Sequence, residues 1–135
     1  MALTFHTEEI NFRLNNEDEI GRTIEKLIVL EGFEPGDINI IFCSDNYLLE
    51  VNREYLKHDY FTDIITFSYN EDRMISGDLF ISIDRVTENA ETVKALFNNE
   101  LKRVIVHGIL HLVGYNDKTN NEISQMRSRE DFYLG

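Results

Sequence analysis

Residues 107–117, HGILHLVGYND, hold two histidines four apart, a glycine three further on and an aspartate three after that. Imidazole nitrogen and carboxylate oxygen are ordinary ligands for divalent metals. On an α-helix, positions four apart differ by about 40° of rotation and about 6 Å of rise. His107 and His111 therefore stack on one face, with ring nitrogens able to converge on one ion. Gly114 can adopt a left-handed conformation, end the helix and turn the chain, so that Asp117 approaches the pair from outside. Three protein ligands with an open position make a catalytic metal site rather than a closed structural one. The competing reading is that one histidine is an ordinary packed or surface residue, and that Asn116 and Asp117 only cap the next helix.

The spacing H-x-x-x-H-x-x-G-x-x-D resembles the zinc helix of metzincin-type proteases, some of which use aspartate as third ligand. In those enzymes a glutamate follows the first histidine and serves as general base. Here that slot holds Gly108, which takes no proton. A protease is therefore the second reading, not the first. A mid-helix glycine costs about 1 kcal/mol against alanine, so Gly108 marks the close approach of another element or of a substrate, or plain helix packing.

The elements around this segment read as follows. Residues 1–14 alternate loosely and suit one or two short edge strands. A helix is expected from Asn15 to Gly32, with Asn15 or Asn16 as cap and Ile20, Ile24, Leu27 and Ile28 on one face. DINIIFCS (37–44) reads as a strand, and SDNYLLEVNREYL (44–56) as a helix capped by Ser44 or Asp45, with Leu48, Val51 and Tyr55 along a stripe. TDIITFS (62–68) and GDLFISI (77–83) are rich in β-branched and aromatic residues and suit an antiparallel hairpin. Asp84 can cap a helix with Val86, Ala90, Val93 and Phe97 on its apolar face. The histidine helix runs from about Asn99 to Val113, and a closing helix from about Thr119 to Tyr133 has Ile123 and Met126 inward. Strands and helices mix without strict βαβ alternation, so the fold class is α+β.

At 135 residues the chain is the length of one domain and can bury a core without disulfides. The lone Cys43 fits a reducing compartment. Nothing resembles a secretory leader or a membrane span, so the expectation is a cytoplasmic protein with no membrane partner. The net charge of −12 argues against a broad nucleic-acid surface, since phosphate contacts need cations. A small, focused site remains open, because a few cations or a metal can supply the positive field locally.

Across these motifs the chain resembles the YbeY family of metal-dependent endoribonucleases. HGILHLVGYND matches the family signature H-G-x-L-H-L-x-G-Y-D-H, and VNREYLKHDYFTDIITFSYN and SGDLFISIDRVTENA match two upstream segments in order. The match runs from about Ile38 to Phe132. It implies one metal-dependent hydrolase domain over residues 1–135, with a mixed sheet of about four strands packed by helices and the metal in a cleft. It implies zinc held by His107, His111 and Asp117, and cleavage of single-stranded RNA in ribosomal RNA processing and small-subunit maturation. The small ribosomal subunit and an assembly GTPase are the implied partners. The family usually has histidine as third ligand; aspartate is a competent but harder ligand, which opens the site to manganese or magnesium.

The NRE match carries the family's functional arginine onto Arg53, whose guanidinium can grip phosphate oxygens. Lys57 and His58 can extend that patch. Without the resemblance, Arg53 would be a surface residue paired with Glu50 or Glu54, and Lys57 and His58 ordinary solvated residues. Asp63 and Asp78 fall near strand starts and suit backbone capping or turn hydrogen bonds. A third class is a ribosome-assembly factor whose metal is structural.

Overall fold

The computed structural model describes residues 2–135. Strand β1 (Ala2–Glu8) is followed by α1 (Glu17–Leu30), β2 (Glu34–Cys43), α2 (Asp45–Leu56), β3 (Ile64–Ser68) and β4 (Met74–Ser82). Three helices close the chain: α3 (Ile83–Val93), α4 (Phe97–Leu112) and α5 (Asn120–Leu134). The four strands form one sheet in the order β1-β2-β4-β3. β1 and β4 run parallel to β2, and β3 runs antiparallel to β4, so the sheet is mixed and the α+β class holds.

Alternation along the strands gives the sheet two apolar faces. Ile38, Ile40, Phe42, Leu79 and Ile81 pack with Ile20, Ile24, Leu27 and Ile28 of α1 and with Leu101, Ile105 and Ile109 of α4. On the other face Cys43 and Ile65 meet Leu48 and Val51 of α2, with Phe67 and Phe80 beside them. β3 is an edge strand, and α4 packs against both it and β4. The histidine helix thus lies beside an open edge of the sheet.

Several expected boundaries move for local reasons. β2 begins at Glu34, three residues early, because Pro35 sits at the strand start and a register irregularity between Pro35 and Ile38 absorbs it. β4 begins at Met74, which shortens the hairpin loop; an isolated Glu71–Met74 bridge closes it. Ser82, not Asp84, caps α3 by accepting the Arg85 N–H. Asp84 instead accepts the Asp45 N–H at the start of α2. Left-handed Lys94 ends α3, so Val93 is exposed, and Phe97 opens α4 rather than continuing α3. Asn16 caps α1 without a side-chain bond. Tyr55 and Ile123, expected to face inward, are exposed, whereas Met126 is buried.

Candidate metal centre

α4 ends as the glycine spacing requires. Gly114 has φ +112°, its N–H reaches the His111 carbonyl, and the Tyr115 N–H reaches the Leu110 carbonyl. This left-handed closure turns the chain back over the last helical turn. Asp117 does not cap α5: Thr119 does, in a capping box with Glu122. Freed from that task, Asp117 places Oδ2 3.2 Å from His107 Nε2 and 3.4 Å from His111 Nε2, and the two Nε2 atoms are 3.0 Å apart.

These three distances permit a fit test. A tetrahedron with centre-to-ligand distances of about 2.0–2.1 Å, as for zinc with nitrogen and oxygen ligands, has edges of about 3.4 Å. The observed triangle has edges of that size. The tautomers agree as well. His107 Nδ1 lies 2.7 Å from Glu130 Oε2, and His111 Nδ1 lies 3.0 Å from the Tyr115 carbonyl oxygen. Both partners accept, so in the neutral rings each Nδ1–H donates and each Nε2 keeps its lone pair. With both rings neutral, two lone pairs and a carboxylate oxygen converge, an arrangement that a bound cation stabilises. The donor set suits one divalent ion, and His107, His111 and Asp117 are the described residues that come together as a candidate metal cluster.

Glu130 was not visible as a site residue from sequence. It lies on α5, is buried, and is also held by Arg103 Nη1 at 2.7 Å, with Arg127 further out at 3.7 Å. The available signal was its place on the inward stripe Met126, Glu130, Tyr133, where a carboxylate interrupts an apolar face. Burial opposes charge on both partners, yet the hydrogen bond and charge of Glu130 outweigh it and raise the His107 pKa. Glu130 is correspondingly lowered: burial raises it, and its bonds to His107 and Arg103 prevail.

Two recesses flank the triad, and His107 and Asp117 line both. One of about 340 Å³ includes Asp63, Glu100, Arg103 and Arg127. The other, of about 300 Å³, includes Asn52, His58, Tyr60 and Asp63. The Asp63 side chain thus faces the cleft and does not serve as a turn cap; only its backbone carbonyl engages, accepting the Ser82 N–H. Asp78 does take hydrogen bonds, from Asn39 and the Tyr69 hydroxyl.

Arg53 and Lys57 stand apart from these recesses. Arg53 is half exposed and donates to Glu50 at 2.7 Å and to Asp59. Its helix neighbours Asn52 and Leu56 line the second recess, whereas Arg53 itself lines neither. Lys57 is the left-handed cap of α2 and its ammonium donates to the Glu54 carbonyl.

Gly108 has a packing explanation. A Cβ built there would lie 2.6 Å from Ile64 Cδ1 and 2.8 Å from Leu79 Cδ2, both on the sheet. The glycine lets α4 approach β3 and β4, and a side chain at 108 would point into that contact rather than the cleft.

The family model described as Endoribonuclease YbeY matches residues 3–135. The chain belongs to the YbeY family. It is 49% identical to the endoribonuclease YbeY of Parabacteroides distasonis, over 97% of this chain and 92% of that one. It is 46% identical to the endoribonuclease YbeY of Cytophaga hutchinsonii, over 98% and 94%. A solution structure of a Thermotoga maritima protein superposes with TM-score 0.67 at 24% identity, over 98% of this chain and 86% of that one, a likeness of fold. Membership places the chain in a family named for endoribonuclease activity. No helix of the described residues is long and apolar enough to cross a membrane.

Proposed function

We propose that residues 1–135 form one zinc-dependent, single-strand-specific endoribonuclease domain that acts in ribosomal RNA processing and small-subunit maturation in the cytoplasm. The observation that carries the metal dependence is the triangle of His107 Nε2, His111 Nε2 and Asp117 Oδ2, with edges of 3.0, 3.2 and 3.4 Å and both Nδ1 atoms engaged elsewhere.

In this reading His107, His111 and Asp117 hold one zinc ion, with manganese or magnesium tolerated by the aspartate. When bound, the ion supplies Lewis-acid polarisation of a phosphate oxygen or a water molecule. Glu130 and the Tyr115 carbonyl orient the two rings. Arg53 leaves Glu50 and Asp59 to grip the scissile phosphate and offset charge that builds in the transition state, with Lys57 as an outlying cation. Asp63, which lines both recesses, is a carboxylate available in the cleft to accept a proton from the nucleophile. The acidic surface, net −12, leaves little long-range attraction for RNA. Presentation of the substrate by a small ribosomal subunit and an assembly GTPase answers that weakness. The protease reading lacks its general base because position 108 is glycine, and the packing of that glycine against Ile64 and Leu79 leaves no room for a carboxylate there.

Elemental analysis of untagged protein, beside His111→Ala and Asp117→Ala, tests the site. About one zinc per chain, lost in both variants together with cleavage of single-stranded RNA, is the expected result. A wild type that neither carries nor takes up metal ends the catalytic reading.

A further inference from the structure

The segment between α2 and β3 carries three rings that serve neither apolar core; Phe61 lies under the Arg85 guanidinium, and the other two, His58 and Tyr60, pair with each other. Tyr60 is 56% exposed, and its ring lies 5.2 Å from that of His58 at an interplanar angle of 21°. The Tyr60 hydroxyl is 3.0 Å from His58 Nδ1, which ties the pair together. Asn52, only 1% exposed, holds the segment at both ends. Its carbonyl accepts the His58 N–H at 3.1 Å, and its Nδ2 donates to the Tyr60 carbonyl at 2.9 Å. The carbonyl bond belongs to the left-handed closure of α2, where the Lys57 N–H shares it; the buried Asn52 amide adds the bond that fixes the Tyr60 backbone. The His58 and Tyr60 rings line the recess whose other wall is His107, His111 and Asp117.

We infer that the His58–Tyr60 pair is a stacking platform for an unpaired nucleobase of single-stranded RNA, set beside the metal triad. The inference rests on the ribonuclease reading above and names how its substrate is selected. Every base has a π face, so stacking on aromatic side chains is tolerant of sequence but demands a base free of its helix. Duplex RNA keeps its bases stacked on one another and cannot meet the rings. Charge points the same way. Asp63 and Asp117 line the recess in a domain of net charge −12, and no lysine or arginine lines it, so its own side chains offer phosphate little attraction. Stacking supplies affinity that neither opposes that field nor fades with salt. A rigid platform also orders the nucleotide next to the scissile phosphate without closing a loop, because Asn52 has already fixed the segment.

The test uses a single-stranded RNA decamer carrying one 2-aminopurine, its position moved along the chain, with wild type, Tyr60→Phe, Tyr60→Ala and His58→Ala. Binding is read from the fluorescence change and cleavage from the same samples. Wild type and Tyr60→Phe should quench one position strongly. Tyr60→Ala and His58→Ala, with unchanged thermal midpoints, should lose most of the quenching and about tenfold in kcat/KM. An abasic nucleotide at the quenched position should remove that tenfold difference. Equal quenching by wild type and Tyr60→Ala, or none by any protein, overturns the platform. RNA that is quenched through Tyr60 but never cut leaves the platform standing and sinks the ribonuclease reading. RNA that Tyr60→Ala cuts as well as wild type does the reverse.

Discussion

His107 serves as a ligand through Nε2 only while its proton sits on Nδ1, and Glu130 holds it there at 2.7 Å. Glu130→Gln keeps the shape but loses the charge, and Arg103 retains Asp131 as partner at 2.8 Å. Zinc affinity should fall about 10–100-fold, measured by competition with a chromophoric chelator. A pH effect accompanies it. Burial lowers the His107 pKa, but Glu130 raises it more, so protonation is favoured in the folded, metal-free chain. A raised folded value stabilises fully below the unfolded value of about 6.5 and is lost as pH rises through the folded one. The thermal midpoint of chelator-treated wild type should therefore fall from about pH 6 upward relative to Glu130→Gln. If the two curves run parallel, the His107–Glu130 pair contributes nothing to stability.

Two contacts between elements position the triad. The first is the approach of α4 to the sheet at Gly108. Gly108→Glu would drive a charge against Ile64 and Leu79, costing more than about 3 kcal/mol in a denaturant titration. It should create no peptide cleavage, because the carboxylate cannot reach the cleft without unseating the helix. The second contact holds α5, which carries Glu130. Glu31 at the end of α1 accepts Arg129 Nη2 and the Tyr115 hydroxyl, each at 2.7 Å, and the Tyr133 hydroxyl. Burial raises the Glu31 pKa, and the bonds from Tyr133, Tyr115 and Arg129 more than reverse this. A lowered folded value stabilises above the unfolded value and is lost as pH falls through the folded one. Glu31→Ala should cost about 3 kcal/mol near neutral pH, less in acid, and should weaken zinc binding through the loosened α5. Unchanged zinc affinity would show that α4 alone orients His107.

For the whole molecule, the core does not need the metal. Its apolar clusters lie on the two faces of the sheet, and the triad sits at their margin beside the β3 edge. Chelation should stop RNA cleavage while far-ultraviolet circular dichroism keeps its amplitude. Unfolding on chelation would instead favour the assembly-factor reading, in which the metal is structural. On the proposed function, the acidic surface and the small cleft belong to the same account: a net charge of −12 gives RNA little general attraction, and the cleft is where binding is expected.

Local signals carried much of this. The period of α4, the glycine that ends it and the short run to Asp117 are encoded within eleven residues, so the triad was legible before any fold was known. The strand and helix inventory was legible for the same reason, since side-chain periodicity is a nearest-neighbour property. Boundaries failed where a tertiary partner chose between nearby residues, as when Asp84 took the Asp45 N–H at the start of α2 and left the α3 cap to Ser82. Glu130, Asp63 and Tyr60 reach the cleft from α5, β3's approach and the loop after α2, distances along the chain that no spacing rule spans. Arg53, carried over by motif, is held by Glu50 and Asp59 and lines neither recess. The sequence by itself determined which atoms could bind a metal. Only the tertiary structure decided what orients them and what surrounds them, because those partners come from separate elements that packing alone brings together.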